Sequence, residues 1–182
     1  MASKKTFLVE PKLQSYSPKV MIEGVKVIKY PVYASEGGDF AEYLRIYDDK
    51  VTLGRGDSLV EIEGFKPRQI SRSFMPTGLV KAWHLHKKQN EIFFPTDGRF
   101  LIALYDNRIG SKSKGVSMRI YSGKDSAVAV YIPHGVAHGY MNVGSNDALL
   151  IYATDQHWDG TDEWRIPWNN KTINFDWTIP NE

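Results

Sequence analysis

Two short stretches of this chain of 182 residues concentrate side chains able to move a proton or hold a cation. In the first, Gly78 is followed after five residues by His84-x-His86, after four more by Glu91, and after six more by Gly98. In the second, Pro133-x-Gly135 leads after two residues to His138 and after three more to Asn142. Three of the five histidines take the fixed positions of these stretches, and His134 fills the x between Pro133 and Gly135. Two histidines at i and i+2 on a strand point to the same face. Glu91 opens the next apolar run and can fold back onto that face. His138 follows a tight Pro/Gly turn that can aim it inward from a distant strand. Gathered in one place, such groups serve acid–base chemistry or cation binding. The plainer alternative is that they line a pocket and hydrogen-bond one another.

The elements that must position them read as short β runs. KAWHLH, EIFFPT, RFLIALYD, VSMRIYS, AVAVYIP and ALLIYAT are rich in aromatic and β-branched residues. Turn chemistry separates them, at Asp97-Gly98, at Ser122 to Asp125, at Pro133-His134-Gly135 and at Gly144 to Asp147. Phe100 to Tyr105 is apolar on both faces, the pattern of a strand covered on both sides. Strands recurring about every 8–12 residues point to a sandwich or barrel. Residues 1–35 also read as strands, VMIEGVKVIKYPVYA (residues 20–34) being the clearest, and 57–66 as room for one short helix. No linker or repeat interrupts the chain, so residues 1–182 are expected to form a single domain.

Bulk properties narrow the function classes. Hydrophobic residues make up 42% and charged residues 24%, the balance of an ordinary globular protein. A net charge of +2 with scattered lysines gives no case for nucleic acid. There is no cysteine, hence no disulfide and no thiolate chemistry. The opening MASKKTFLVE has no apolar core of a signal segment, and no apolar run reaches the roughly 18 residues of a membrane span. A cytoplasmic protein with no membrane partner is the expectation.

The spacings of both histidine stretches resemble the two signature motifs of the cupin superfamily. The resemblance implies an all-β fold, a cupin jelly-roll β-barrel (double-stranded β-helix). It places His84, His86, Glu91 and His138 where metal-dependent cupins hold a divalent ion such as Zn, Fe, Mn, Ni or Cu. A narrower resemblance covers residues 36–177. IPHGVAHGY (residues 132–140) is similar to the IP-x-G-x-AHG-F/Y segment of the dTDP-4-dehydrorhamnose 3,5-epimerases. QISRSFMPTGLVKAWHLH, DGRFLIALYDNR, ALLIYATD and DEWRIPWNNKTINFDW resemble the segments that frame it in that family.

Those enzymes invert carbons beside a 4-keto group on a nucleotide-linked sugar, with no cofactor required. The ketone acidifies the neighbouring C–H, so a site needs a base, a proton donor on the opposite face and stabilisation of the enolate. The family's histidine base aligns with His84, its tyrosine acid with Tyr152 and its second histidine with His138. Lys81 stands where the family has a phosphate-binding arginine. Gln69 and Ser73 match polar sugar-site positions, and Glu42 and Phe40 match residues of the R-G-x-F-x-E segment. Trp158 lies where the family sets a ring near substrate, whereas Trp83, Trp164, Trp168 and Trp177 read as packing residues. By the same resemblance the protein is a homodimer, with strands at about residues 18–34 in the dimer contact and a core barrel over 36–177.

Four departures accompany the match. Gly37 replaces an arginine, Glu91 stands at the position of a lysine beside the reacting carbonyl, and Ile102 stands at the position of an aspartate. The S-x-K-D segment, whose aspartate orients the catalytic histidine in the family, has no counterpart before the chain ends at WTIPNE. Two readings therefore compete for His84, since a metal ligand cannot also be a free base. Without a metal, Glu91 beside His84 is expected to raise the imidazole pKa. With one, the ion takes over carbonyl polarisation as a Lewis acid in a metal-dependent isomerase or oxygenase. A third reading is a non-catalytic sugar-binding cupin.

Overall fold

A computed structural model of the chain describes residues 22–123 and 126–178. Two five-stranded antiparallel sheets face one another. The first runs β1 (Lys26–Lys29), β12 (Val128–Ile132), β9 (Glu91–Asp97), β14 (Ala148–Thr154), β7 (Gln69–Met75) in spatial order. The second runs β11 (Ser117–Gly123), β10 (Arg99–Asp106), β13 (Val136–Asn142), β8 (Val80–Leu85), β15 (Trp164–Arg165). Two smaller sheets complete the described residues: the hairpin β2 (Val32–Ser35) and β3 (Gly38–Ala41), and β4 (Arg45–Ile46), β5 (Lys50–Leu53), β6 (Val60–Glu63). This is the expected all-β jelly roll. No α-helix occurs among the described residues, and the helix expected within 57–66 is a single 3-10 turn at Gly56–Ser58 followed by strand β6.

Alternation along the strands builds three apolar layers. Between the two large sheets lie Phe93, Phe100, Ile102, Leu104, Ile120, Val130 and Leu150. The outer face of the first sheet presents Ile28, Ile92, Phe94 and Ala153, which pack under Val51, Leu53 and Ile62 of the β4–β6 sheet. The outer face of the second presents Trp83, Leu101, Ala103 and Ala137, covered by Ile173 and Trp177 from the C-terminal segment. β10 is therefore buried on both faces, which is why its sequence shows no polar alternation. Trp83 has no exposed surface and packs edge-on against Phe175, with Trp177 tilted beside it at 5.2 Å.

The chain changes sheets at Asp97-Gly98. Gly98 has φ of 79°, and a Cβ there would lie 2.4 Å from that of Ala148, so only glycine permits this corner to close on β14. The loop after β10 is tied down by Asp106. Its buried carboxylate accepts from Arg108 Nε at 2.8 Å, Ser111 Oγ at 2.5 Å and Ser113 Oγ at 2.6 Å. Burial would raise the Asp106 pKa, but these donors hold it well below the usual carboxylate range.

The stretch expected to make the dimer contact divides. Residues 18–21 lie outside the described residues. β1 belongs to its own chain's first sheet, with Val27 opposite Val130. The β2–β3 hairpin forms a sheet of its own and exposes Val32, Tyr33 and Phe40.

Candidate active site in the barrel interior

Strand parity sends His84 to the barrel interior and Trp83 to the outer core. β8 pairs with β13 so that His84 lies opposite His138, with the rings stacked 5.8 Å apart. The two strands approach closely because Gly139 has no side chain, since a Cβ there would come within 2.4 Å of Ala82 Cβ. That is the physical role of the glycine in the AHG segment. Beyond the end of β8, His86 lies 5.6 Å from His138, ring to ring. From the opposite sheet, Glu91, Phe93 and Tyr152 face inward. Together these groups line a cavity of about 300 Å³ that opens at one end of the barrel.

The loop between β8 and β9 is fixed by Asp162, whose carboxylate accepts from the backbone N–H groups of Lys87, Lys88 and Gln89 at 2.8, 3.0 and 3.3 Å. Next to it, Asp155 accepts from the backbone N–H of Asn90 at 2.8 Å. These two carboxylates hold His86 and Glu91 on either side of the turn.

Two charge systems occupy the cavity. In the deeper one, His138 Nε2 sits 2.9 Å from Glu91 Oε2, and both residues are buried. The His138 Nδ1–H donates to Val136 O at 3.1 Å. Burial by itself would lower the His138 pKa, but the Glu91 charge more than offsets it and raises the value. Burial would likewise raise that of Glu91, and His138, with His86 adding to it, holds it down. The pair is thus biased toward imidazolium and carboxylate. His86 donates from Nδ1 to Asp162 O at 2.7 Å, and the Gln89 amide donates to Glu91 Oε1 at 2.8 Å.

The second system centres on His84. Its Nδ1 lies 2.9 Å from Glu163 Oε1 and its Nε2 lies 2.8 Å from Arg165 Nη1. Arginine only donates and an ionised carboxylate only accepts, so this ring carries its proton on Nδ1 and its lone pair on Nε2. Burial, with the charges of His138 and Arg165 adding to it, pushes the His84 pKa down to about 4 against the opposing pull of Glu163. The expectation that Glu91 would raise the His84 pKa is corrected: Glu91 spends its charge on His138. The carboxylate beside His84 is that of Glu163, which immediately precedes β15.

Among the other expected site residues, Tyr152 lies on β14 with its ring 6.0 Å from Phe93, and burial raises its pKa, so it is a phenol at neutral pH. Gln69 and Trp158 line the cavity, joined by the Trp158 backbone N–H donating to Gln69 Oε1 at 2.9 Å. Lys81 Nζ donates to Ser73 Oγ at 2.7 Å and to Phe74 O at 3.2 Å, and neither side chain lines the cavity. Glu42 is paired outside with Arg45 and Arg55, and Phe40 is exposed on the β2–β3 hairpin. Within one chain, then, Glu42 and Phe40 are not brought to the cavity. Trp83 and Trp177 are packing residues as expected, whereas Trp164 and Trp168 are largely exposed.

The four-residue metal set is not assembled as expected. His86, Glu91 and His138 converge, each offering a ligand atom within 4.8 Å of the others. His84 stands apart, with a guanidinium cation on the nitrogen that would have to ligate. Glu91 Oε1 accepts from the Gln89 amide, while the buried Glu91 Oε2 sits 2.9 Å from His138 Nε2 as an ion pair but has no hydrogen-bond partner, so His86, Glu91 and His138 are the residues that would hold an ion.

Sequence reasoning missed Glu163, Arg165, Gln89 and Tyr140. Glu163 and Arg165 stand at i and i+2 in DEWRI, and that spacing was the available signal, since on a strand both reach one face. What the sequence does not show is that β15 pairs with β8 to set Arg165 directly opposite His84. Tyr140 stacks on His84 at 6.5 Å, and burial pushes its pKa up to about 12.

A jelly-roll barrel carrying its histidine and carboxylate side chains inside defines a cupin. The family described as dTDP-4-dehydrorhamnose 3,5-epimerase matches residues 19–182, and the chain belongs to that family. It is 39% identical over 159 residues to the spore coat polysaccharide biosynthesis protein SpsL of Bacillus subtilis, covering 86% of this chain and 97% of the relative. It is 33% identical over 159 residues to the "Probable low-salt glycan biosynthesis epimerase Agl13" of Haloferax volcanii, covering 86% and 94%. Among solved structures, NovW, a 4-keto-6-deoxy sugar epimerase from the novobiocin gene cluster of Streptomyces spheroides, shares the fold. Its TM-score is 0.74 at 21% identity, over 94% of this chain and 83% of that one.

Proposed function

We propose that the protein epimerises a nucleotide-linked 4-keto-6-deoxysugar at C3, or at C3 and C5, in the biosynthesis of a polysaccharide. The observation that carries this reading is His84: an imidazole kept neutral at pH 7, its Nδ1–H held by Glu163 and its Nε2 lone pair turned into the cavity that Tyr152 also lines. His84 Nε2 removes the proton α to the C4 ketone, and the C–H electron pair becomes the C=C of an enolate. The Tyr152 hydroxyl then delivers a proton to the opposite face of that carbon. Glu163 supports the imidazolium that forms, as a carboxylate does for any base histidine it orients. The reading needs no metal or other cofactor, and the protein acts in the cytoplasm. Its partner is a nucleotide sugar, and the similarity to SpsL, a spore coat polysaccharide biosynthesis protein, supports the pathway class.

Incubation in D₂O with dTDP-, GDP- and CDP-linked 4-keto-6-deoxysugars, followed by mass spectrometry, tests it. Deuterium entering C3 or C5, slowed about 10²- to 10⁴-fold by His84→Ala, is the expected result. No exchange into any of the three by folded protein overturns it.

The same reading makes the protein a homodimer. The first sheet ends at β7, whose outer face exposes Ile70 and Phe74, and the β2–β3 hairpin exposes Tyr33 and Phe40. Exposed apolar sheet edges call for cover. Sedimentation at micromolar concentration is expected to give twice the 20.7 kDa chain mass, and a monomer overturns it.

A further inference from the structure

Carbonyl chemistry by proton abstraction puts negative charge on an oxygen, and a cavity that runs such a reaction holds a donor or cation for it. The position expected to carry a lysine carries Glu91, which adds negative charge instead. Lys81 is committed to Ser73 and Phe74 outside the cavity. Arg165 is the cationic lysine or arginine side chain that lines it. It stands on the strand paired with β8, directly opposite His84, and its Nη1 rests 2.8 Å from the nitrogen that must take the substrate proton. Its Nε is 3.6 Å from Glu163 Oε1, and its side chain is 59% exposed, so the guanidinium can move without disturbing the core.

We propose, resting on the epimerase reading above, that Arg165 is a catalytic residue with two partners in turn: it caps the His84 lone pair in the empty site and transfers to the substrate's C4 oxygen on binding. The carbonyl oxygen is an acceptor that competes with Nε2 for the same N–H. When it takes Arg165, it uncovers the base at the moment the reacting carbon is beside it. Nε2 then accepts the α proton, the C–H pair forms the C=C bond, and the carbonyl π pair moves onto the oxygen, where the guanidinium N–H groups hold it. Return of that pair drives reprotonation of the carbon from Tyr152. The phenolate so formed regains a proton from water, and the imidazolium gives one up. The arrangement also explains why Glu91 is tolerated: its charge is neutralised by His138, and the enolate finds its cation on the other side of His84.

The test is deuterium exchange in D₂O with dTDP-4-keto-6-deoxyglucose and its GDP and CDP counterparts, run on the wild type and on Arg165→Gln, Arg165→Lys and Arg165→Gly. Removal of one oxyanion donor is expected to lower kcat for exchange about 10²- to 10³-fold in Arg165→Gln with KM changed only a few-fold. Arg165→Lys is expected to keep more activity than Arg165→Gln, and free methylguanidinium to restore part of the kcat of Arg165→Gly. Wild-type exchange with an Arg165→Gln kcat within about twofold overturns the Arg165 role and leaves the epimerase reading standing. A higher KM alone would make Arg165 a binding residue, and a faster variant would make it only a cover on the base. A wild type that exchanges with none of the probes overturns the epimerase reading, and the Arg165 role with it.

Discussion

His84 is buried in a setting hostile to its own charge, and this has a stability consequence that needs no substrate. Its pKa lies at about 4 in the folded protein against 6.5 for the free side chain. Between those values the unfolded chain binds a proton that the folded protein refuses, so stability falls as pH falls through the window. The neutral-imidazole contribution is fully present above pH 6.5. With about 1.36 kcal/mol per pH unit, about 2 kcal/mol of it is gone at pH 5. Against a typical domain stability of about 5–15 kcal/mol that is a large fraction. His84→Gln removes the titrating ring, while Glu91 and His138 titrate in both proteins and cancel in the difference to first order. Urea unfolding followed by tryptophan fluorescence at pH 7.5 and pH 5 is the assay. Relative to wild type, the variant is expected to gain about 2 kcal/mol between the two. A difference constant within about 0.5 kcal/mol would mean that His84 titrates like a free imidazole, and that the crowding by His138 and Arg165 is not felt.

Three further outcomes follow from packing. Gly139→Ala forces a methyl to within 2.4 Å of Ala82 Cβ and is expected to lower the unfolding free energy by about 1–3 kcal/mol, with Ala82→Gly in the same chain recovering only part of it by thermal denaturation, since the Ala82 Cα and Lys81 O still lie 3.0 Å from the new methyl. Trp83→Ala empties the centre of the outer core and is expected to cost about 3–5 kcal/mol. Trp83→Phe should cost clearly less, because the buried indole N–H has no hydrogen-bond partner to lose. Asp162→Ala strips three backbone N–H groups of their acceptor and is expected to raise amide hydrogen exchange at residues 87–89 by at least tenfold while β10 and β13 stay protected.

The strands were legible because apolar alternation and turn residues report directly on which face is covered. VSMRIYS and ALLIYAT became β11 and β14 nearly to the residue, and the double-sided burial of Phe100 to Tyr105 was readable as a continuous apolar run. The interior placement of His84 and His138 followed from parity and from the turn before His138. What did not follow was who pairs with whom. Histidine spacing cannot distinguish Glu91 from Glu163 as the carboxylate of His84, because the choice depends on β15 docking beside β8. Proximity in sequence made Glu91 the natural partner, and the fold gave that partner to His138. Residues 57–66, read as room for one short helix, hold strand β6 after the 3-10 turn at Gly56–Ser58, because the Val60-x-Ile62 alternation pairs with β5.

The partners of His84 come late in the chain. Glu163 and Arg165 lie 79 and 81 residues beyond it, the first just before and the second on the short strand β15, which leads into the segment closing the outer core with Ile173 and Trp177. A chain emerging from the ribosome can therefore pair β7 through β14 and form the pocket before its base has either an orienting carboxylate or a guanidinium cap. β15 is followed directly by the segment whose Ile173 and Trp177 cover the outer core. Under the epimerase proposal, a chain that stops short of residue 163 lacks the carboxylate and the guanidinium that flank the base.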